Sequence, residues 1–125
     1  MENDLDWLLN LQLDLVKKID KRMENDLLVT IQMGKDEQRI KWMYHMIDAM
    51  HNELEEVRNE LPWKSWRDYS KYKFEEKLPL IKEEVIDLLH FFLDMCLILG
   101  ISADELRNAY KKKQQKNIDR QLNNY

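Results

Sequence analysis

Two glycines, two prolines and one cysteine are all that 125 residues contain of the types that punctuate or staple a chain. So few turn formers cannot serve a β sandwich or barrel, which needs a reversal roughly every 8–12 residues. A lone thiol, Cys96, cannot close an intramolecular disulfide, so a disulfide scaffold is excluded and a reducing compartment is expected. It lies in an apolar stretch, where the ordinary role of cysteine is that of a small buried hydrophobe. The chain also lacks a basic start followed by an apolar run; its first residues are acidic and amphipathic, unlike a signal peptide. The most apolar segment, Val85 to Leu99, is too short and too often charged to span a bilayer. We therefore expect a cytoplasmic protein with no membrane partner.

What the chain does have is helix formers. Charged residues make up 35% and hydrophobic ones 44%, with Leu, Lys, Glu and Met prominent, a composition that favours helix over strand. We expect an all-α fold, a four- to five-helix bundle occupying residues 1–125 as a single domain. The formal charge of −4 is unevenly spread: from Arg107 onward six Lys or Arg face one Asp, a local +5 that leaves −9 on the preceding residues. An acidic body with a basic last helix can attract metal ions at one place and phosphate at another. Polymeric nucleic acid is not an expected partner.

The first helix is expected over Asp4 to Arg22, capped by Asn3 or Asp4, with Leu5, Leu8, Leu15 and Ile19 on its apolar face. Gln12 falls on that line, either as a core amide satisfied by a backbone group or as a reader of a ligand edge. Leu27 to Met33 is a short helix or a packed connection, closed by Gly34. Asp36 is placed to cap a long helix whose seam, Ile40, Met43, Ile47, Met50, Leu54, Val57 and Leu61, keeps helical steps throughout. The stripe one residue earlier reads Trp42, Met46, Ala49, Glu53, Glu56, Glu60, changing from apolar to acidic halfway. Either the helix leaves the core there, or the acids face inward toward a cation.

Pro62 ends that helix. A basic, aromatic connection follows, with Trp63, Lys64, Trp66, Arg67, Lys71 and Lys73. The next helix is expected from Leu80 to Leu99, stopped by Gly100. It is apolar on nearly every side and so should be central, yet it carries Glu84, Asp87, His90 and Asp94. A buried carboxylate costs several kcal/mol unless it is paired, hydrogen-bonded or metal-bound. Ser102 and Glu105 then have capping-box spacing for a last helix, where Leu106 and Tyr110 give way to Lys113, Asn117 and Arg120 at helical steps.

Glu53 and Glu56, and again Glu84 and Asp87, are three residues apart, which puts each pair on one helical face. If the two helices are antiparallel neighbours, the pairs face each other and offer eight oxygens. Such a set suits Mg²⁺, which takes a few carboxylates, retained waters and substrate phosphates. His45, His51 and His90 show no ligand spacing that would favour zinc.

The stretch ELEEVRNELPWKSW at residues 53–66, followed by EEVIDLLHF at 83–91, resembles the paired motifs of the all-α, dimeric dUTPases. These sit within the all-α nucleoside triphosphate pyrophosphohydrolase superfamily, with MazG-like and dCTP-hydrolysing enzymes. Gln12 and Leu15 are similar to the family's first motif, and Tyr110, Lys113, Asn117, Arg120 and Tyr125 to its carboxy-terminal segment. Val16 departs from the pattern, where a polar Asn or Asp is expected.

The resemblance implies a homodimer that hydrolyses dUTP to dUMP and pyrophosphate, with two or more Mg²⁺ held by Glu53, Glu56, Glu84 and Asp87. On that reading Glu56 orients or deprotonates the attacking water. Lys64, Lys113 and Arg120 meet phosphate, Asn117 meets sugar or phosphate, Gln12 meets the base and Trp66 covers the nucleotide. Two other readings stay open: a sister enzyme acting on dCTP or a noncanonical triphosphate, and a non-enzymatic helical interaction module.

Overall fold

In a computed structural model, which describes residues 4–123, the chain forms α1 (Asp4–Met23), α2 (Leu27–Met33), α3 (Asp36–Asn59), α4 (Phe74–Leu99) and α5 (Ala103–Leu122). No strand occurs among the described residues. Asn3 and Tyr125 lie outside them. The central helix is α4, which packs on α3, α1 and α2, as its all-round apolar composition requires.

Helices α3 and α4 are antiparallel, and three facing pairs mark their register. Arg39 Nε donates to the Ile98 carbonyl at 2.9 Å, Glu53 stands opposite Glu84, and Lys77 pairs with Glu60 at 3.6 Å. As residue numbers rise along α3, those of the partners fall by equal amounts, so the pairing does not slip along the helices. At the far end of α4, Gly100 takes the left-handed conformation at φ 71°, and the Ile101 N–H donates to the Cys96 carbonyl at 2.8 Å. This Schellman closure turns the chain into α5. The cap predicted for α5 is present, with the Glu105 N–H donating to Ser102 Oγ at 3.1 Å.

The core has two parts. Leu9, Leu93, Cys96 and Ala103 cluster where α1, α4 and the start of α5 meet. Val16, Leu27, Met46 and Ile98 cluster where α1 to α4 converge. Cys96 is buried, in the role expected of it.

Several local expectations are corrected. Helix α4 begins at Phe74, not Leu80, and carries Pro79 inside it. The proline lacks the N–H that would bond to the Glu75 carbonyl, but it falls early in the helix. The extra turns are tied to α3 by the Lys77–Glu60 pair and by Tyr72 Oη, which donates to the Glu60 carbonyl at 2.7 Å. Asp36 opens α3 instead of capping it, and Lys35 is the capping position. On α1 the buried residues are Leu9, Gln12 and Val16, while Leu15 and Ile19 are exposed. The long seam of α3 also turns outward in part, leaving Ile40, Ile47 and Leu54 exposed. The face one residue earlier, with Met46 buried, is the one that meets α4.

Candidate metal centre and its surroundings

The inward face of α3 carries Glu53 one turn past Ala49. The facing stretch of α4 carries Glu84 and Asp87, which the antiparallel register sets opposite it. Glu53, Glu84 and Asp87 each offer a carboxylate oxygen, and these oxygens lie within 4.8 Å of one another. All three residues are half-buried. Glu53 Oε2 and Glu84 Oε2 are buried and receive no hydrogen bond from a permanent donor among the described residues. Buried carboxylate oxygens left in that condition are costly, and the donor set is all oxygen. The residues therefore fit a hard divalent cation such as Mg²⁺.

The electrostatics agree. Glu84 is pushed up to about 8, first by hydrogen bonding with Glu56 and Glu53, which favours its protonated form, and then by burial. Glu53 is also raised, chiefly by burial, with Glu56 and Asp87 adding repulsion. Acids this close cannot all be ionised without a compensating positive charge, either a proton or a cation. Glu56, the fourth acid of the predicted set, lies at the edge of the cluster on an exposed part of α3, where Asn52 Nδ2 donates to its Oε1 at 3.3 Å. Glu55 points away, exposed and paired with Arg58 at 3.5 Å.

Gln12 is buried between α1 and α4 and is bonded at both ends. Its Nε2 donates to Asp94 Oδ1 at 2.7 Å, and its Oε1 meets His90 Nδ1 at 2.8 Å. The partners are side chains, not a backbone group. Gln12 and His90 nonetheless line a cavity of about 180 Å³ between the two helices, walled otherwise by Leu8, Leu11, Ile86, Leu89 and Leu93.

The connection between α3 and α4 folds over the end of the acidic stripe. Arg58 stacks on the Trp63 ring at 3.9 Å, and Trp63 meets Trp66 edge-on at 5.7 Å. Trp66 itself is 74% exposed. Lys64, Arg67, Lys71 and Lys77 line a cavity of about 470 Å³ with Glu60 and Tyr72. Lys77 was not legible as a site residue, since it precedes the predicted start of its helix.

Lys113 and Asn117 line a groove along α5 with Tyr110 and Ile118. Arg120 is on the same helix and half-buried. Helix α5 packs on α1 and makes no packing contact with α3 among the described residues. The structure thus brings Glu53, Glu84 and Asp87 together, keeps Glu56 beside them, and does not bring the basic residues of α5 to them within one chain.

Helices that oppose acidic pairs across an antiparallel seam define a class of all-α proteins built around a carboxylate centre. The dUTPase family model matches residues 4–97, and the chain belongs to that family. Among curated relatives, a dCTP pyrophosphatase of Enterobacteria phage T4 is 28% identical over 69% of this chain, the match spanning 62% of that protein. A dCTP pyrophosphatase of Enterobacteria phage LZ5 is 26% identical over 94% of this chain and 82% of its own length. No solved structure matches the chain.

Proposed function

We propose that the protein is a Mg²⁺-dependent pyrophosphohydrolase of pyrimidine deoxynucleoside triphosphates, cleaving dUTP to dUMP and pyrophosphate. The observation that carries this reading is the trio Glu53, Glu84 and Asp87, with two buried carboxylate oxygens lacking permanent donors among the described residues. These residues, with Glu56 beside them, would hold the metal. Bound there, Mg²⁺ supplies charge neutralisation to the triphosphate and lowers the pKa of water.

The chain's own residues do the rest. Glu56, exposed at the rim, accepts the proton of the attacking water. Lys64 meets the departing pyrophosphate from the basic cavity beside the Glu60 end of α3. Gln12 presents its amide to the base, and Trp66 closes over the nucleotide.

The homodimer belongs to the same proposal. A compact monomer of 15.4 kDa exposes about 7,200 Å², whereas this chain exposes 9,927 Å². The surplus includes the outward seam of α3, and a second copy is its expected cover. Lys113, Asn117 and Arg120 then serve the acidic centre of the partner instead of their own.

A second reading, dCTP as substrate, is favoured by the two relatives named for that activity. A turnover panel of dUTP, dCTP, dTTP and UTP with Mg²⁺, following pyrophosphate release, decides between them. Release from dUTP above the others supports the first reading, preference for dCTP supports the second, and no release from any refutes both.

A further inference from the structure

Apart from the acids of the metal centre, α4 buries one carboxylate for which the proposed chemistry has no use. Asp94 lies in the interior at 6% exposure, where it accepts a hydrogen bond from Gln12 Nε2 at 2.7 Å. Gln12 Oε1 in turn meets His90 Nδ1 at 2.8 Å. Asp87, His90 and Asp94 follow one another on one flank of α4 at helical steps, so the chain of bonds begins one turn from the metal centre.

The direction of these bonds follows from donor and acceptor rules alone. A carboxylate only accepts, so the Gln12 amide must turn its NH₂ toward Asp94. Its carbonyl then faces His90, and because a carbonyl only accepts, Nδ1 must carry the hydrogen. A neutral His90 in that tautomer keeps Nε2 as an acceptor. With an amide in place of the carboxylate the whole chain can run the other way. Asn Nδ2 would donate to Gln12 Oε1, Gln12 Nε2 would donate to His90 Nδ1, and the imidazole hydrogen would move to Nε2.

We infer that Asp94 is a positioning residue: through Gln12 it sets the tautomer of His90, and with it the donor and acceptor pattern that these two side chains offer to a pyrimidine edge. The last part rests on the proposed meeting of Gln12 with the base. Uracil and cytosine differ in just this respect, the first presenting N3–H and O4, the second N3 and an amino group. A site that fixes hydrogen-bond polarity discriminates between such edges far better than one that fixes shape. Asp94 lies outside both the acidic cluster and the lining of the cavity beside Gln12, so it acts only by holding the other two side chains.

The test reads the imidazole nitrogens of His90 by ¹⁵N NMR in the full-length protein at pH 8, together with kcat/KM for dUTP and dCTP. The wild-type protein should show Nδ1 protonated and Nε2 unprotonated. Asp94→Asn should shift His90 toward the Nε2–H tautomer and change the dUTP to dCTP ratio of kcat/KM by at least about tenfold, with the Mg²⁺ concentration for half-maximal activity unchanged. An Nε2–H tautomer in the wild-type protein overturns the inference without any variant, which covers the case of Asp94→Asn failing to fold. So does an unaltered tautomer in Asp94→Asn, or an altered tautomer with an unaltered ratio. If the wild-type protein cleaves neither nucleotide, the enzymatic reading and the base-edge part of the inference fall together. The spectra then decide whether Asp94 governs His90.

Discussion

Glu53 on α3 and Glu84 on α4 face each other across the helix pair, and each holds one buried oxygen, Oε2, that no permanent donor among the described residues satisfies. Carboxylates in that arrangement repel unless something positive lies between them. Removing the charge of one should therefore disable metal binding while relieving strain in the fold. Glu84→Gln is expected to lower Mg²⁺-dependent hydrolysis by roughly a hundredfold or more, the scale on which loss of one electrostatic stabiliser is felt, with the helical circular dichroism retained. Glu55→Gln, on an exposed acid paired with Arg58, should stay within about twofold. Equal, small losses from the two variants would contradict the assignment.

The same cluster predicts how metal binding responds to pH. Glu84 is held up to about 8, against an ordinary value of 4.5, so the folded state binds its proton more tightly than the unfolded chain does. The stabilising effect of that proton is complete below the ordinary value and fades as pH rises through about 8. A divalent cation competes with the proton for the same oxygens. The rise in melting temperature on adding Mg²⁺ should therefore be larger at pH 8.5 than at pH 6. Calorimetry in buffers of different ionisation enthalpy should also detect proton release on binding at pH 7. A Mg²⁺ effect independent of pH would count against Glu84 as a ligand.

Asp94 makes a separate pH prediction. Burial pushes its carboxyl up to about 6 from 3.8; the hydrogen bond from Gln12 and the nearby His90 oppose the rise, and Asp20 adds to it. A raised carboxyl means that folding favours its protonated form. Stability should therefore fall as pH rises from about 4 to about 6, by an amount on the order of 2–3 kcal/mol. Asp94→Asn should make that segment of the profile shallower when urea unfolding is repeated across the range, leaving the decline that Glu84 contributes. A variant with the wild-type slope would mean that another group is responsible.

The exposed seam of α3 predicts the assembly. Ile40, Tyr44, Ile47 and Leu99 line an apolar groove of about 540 Å³ with Met43, a face that a lone copy leaves to water. Sedimentation equilibrium at micromolar concentration should give twice the chain mass. Ile47→Glu should give a monomer, or a much weaker dimer, without loss of helix content. A wild-type monomer under these conditions would refute the dimer. An Ile47→Glu dimer as tight as the wild type would show that a different face mediates it.

Helical spacing is local, and it carried much of the fold and site into plain view. Residues three and four apart share a face whatever the rest of the chain does. That is why the order of the helices, the stops at Gly34 and Gly100, the Ser102 cap and the pairing of Glu53 with Glu56 and of Glu84 with Asp87 could all be read from residue order. The early start of α4 was not readable in that way: a proline's cost depends on where in a helix it falls, and the ties of Tyr72 and Lys77 to Glu60 that support its first turns come from residues distant in the chain. Gln12 could not be resolved for a similar reason. Its partners, Asp94 and His90, lie 82 and 78 positions away.

The amino-acid sequence by itself determined that the protein is helical, that its acids come in facing-capable pairs and that its last helix is basic, since composition and periodicity act within a few residues. Only the tertiary structure decided which of two apolar stripes on α3 turned inward. The stripe with the longer run of hydrophobic residues lost to the one that carries Glu53, because the ties between Arg39 and Ile98 and between Lys77 and Glu60 lock the antiparallel register in which Glu53 meets Glu84. That choice is made by contacts between helices, and it leaves Ile40, Ile47 and Leu54 of the more regular stripe exposed on the single chain.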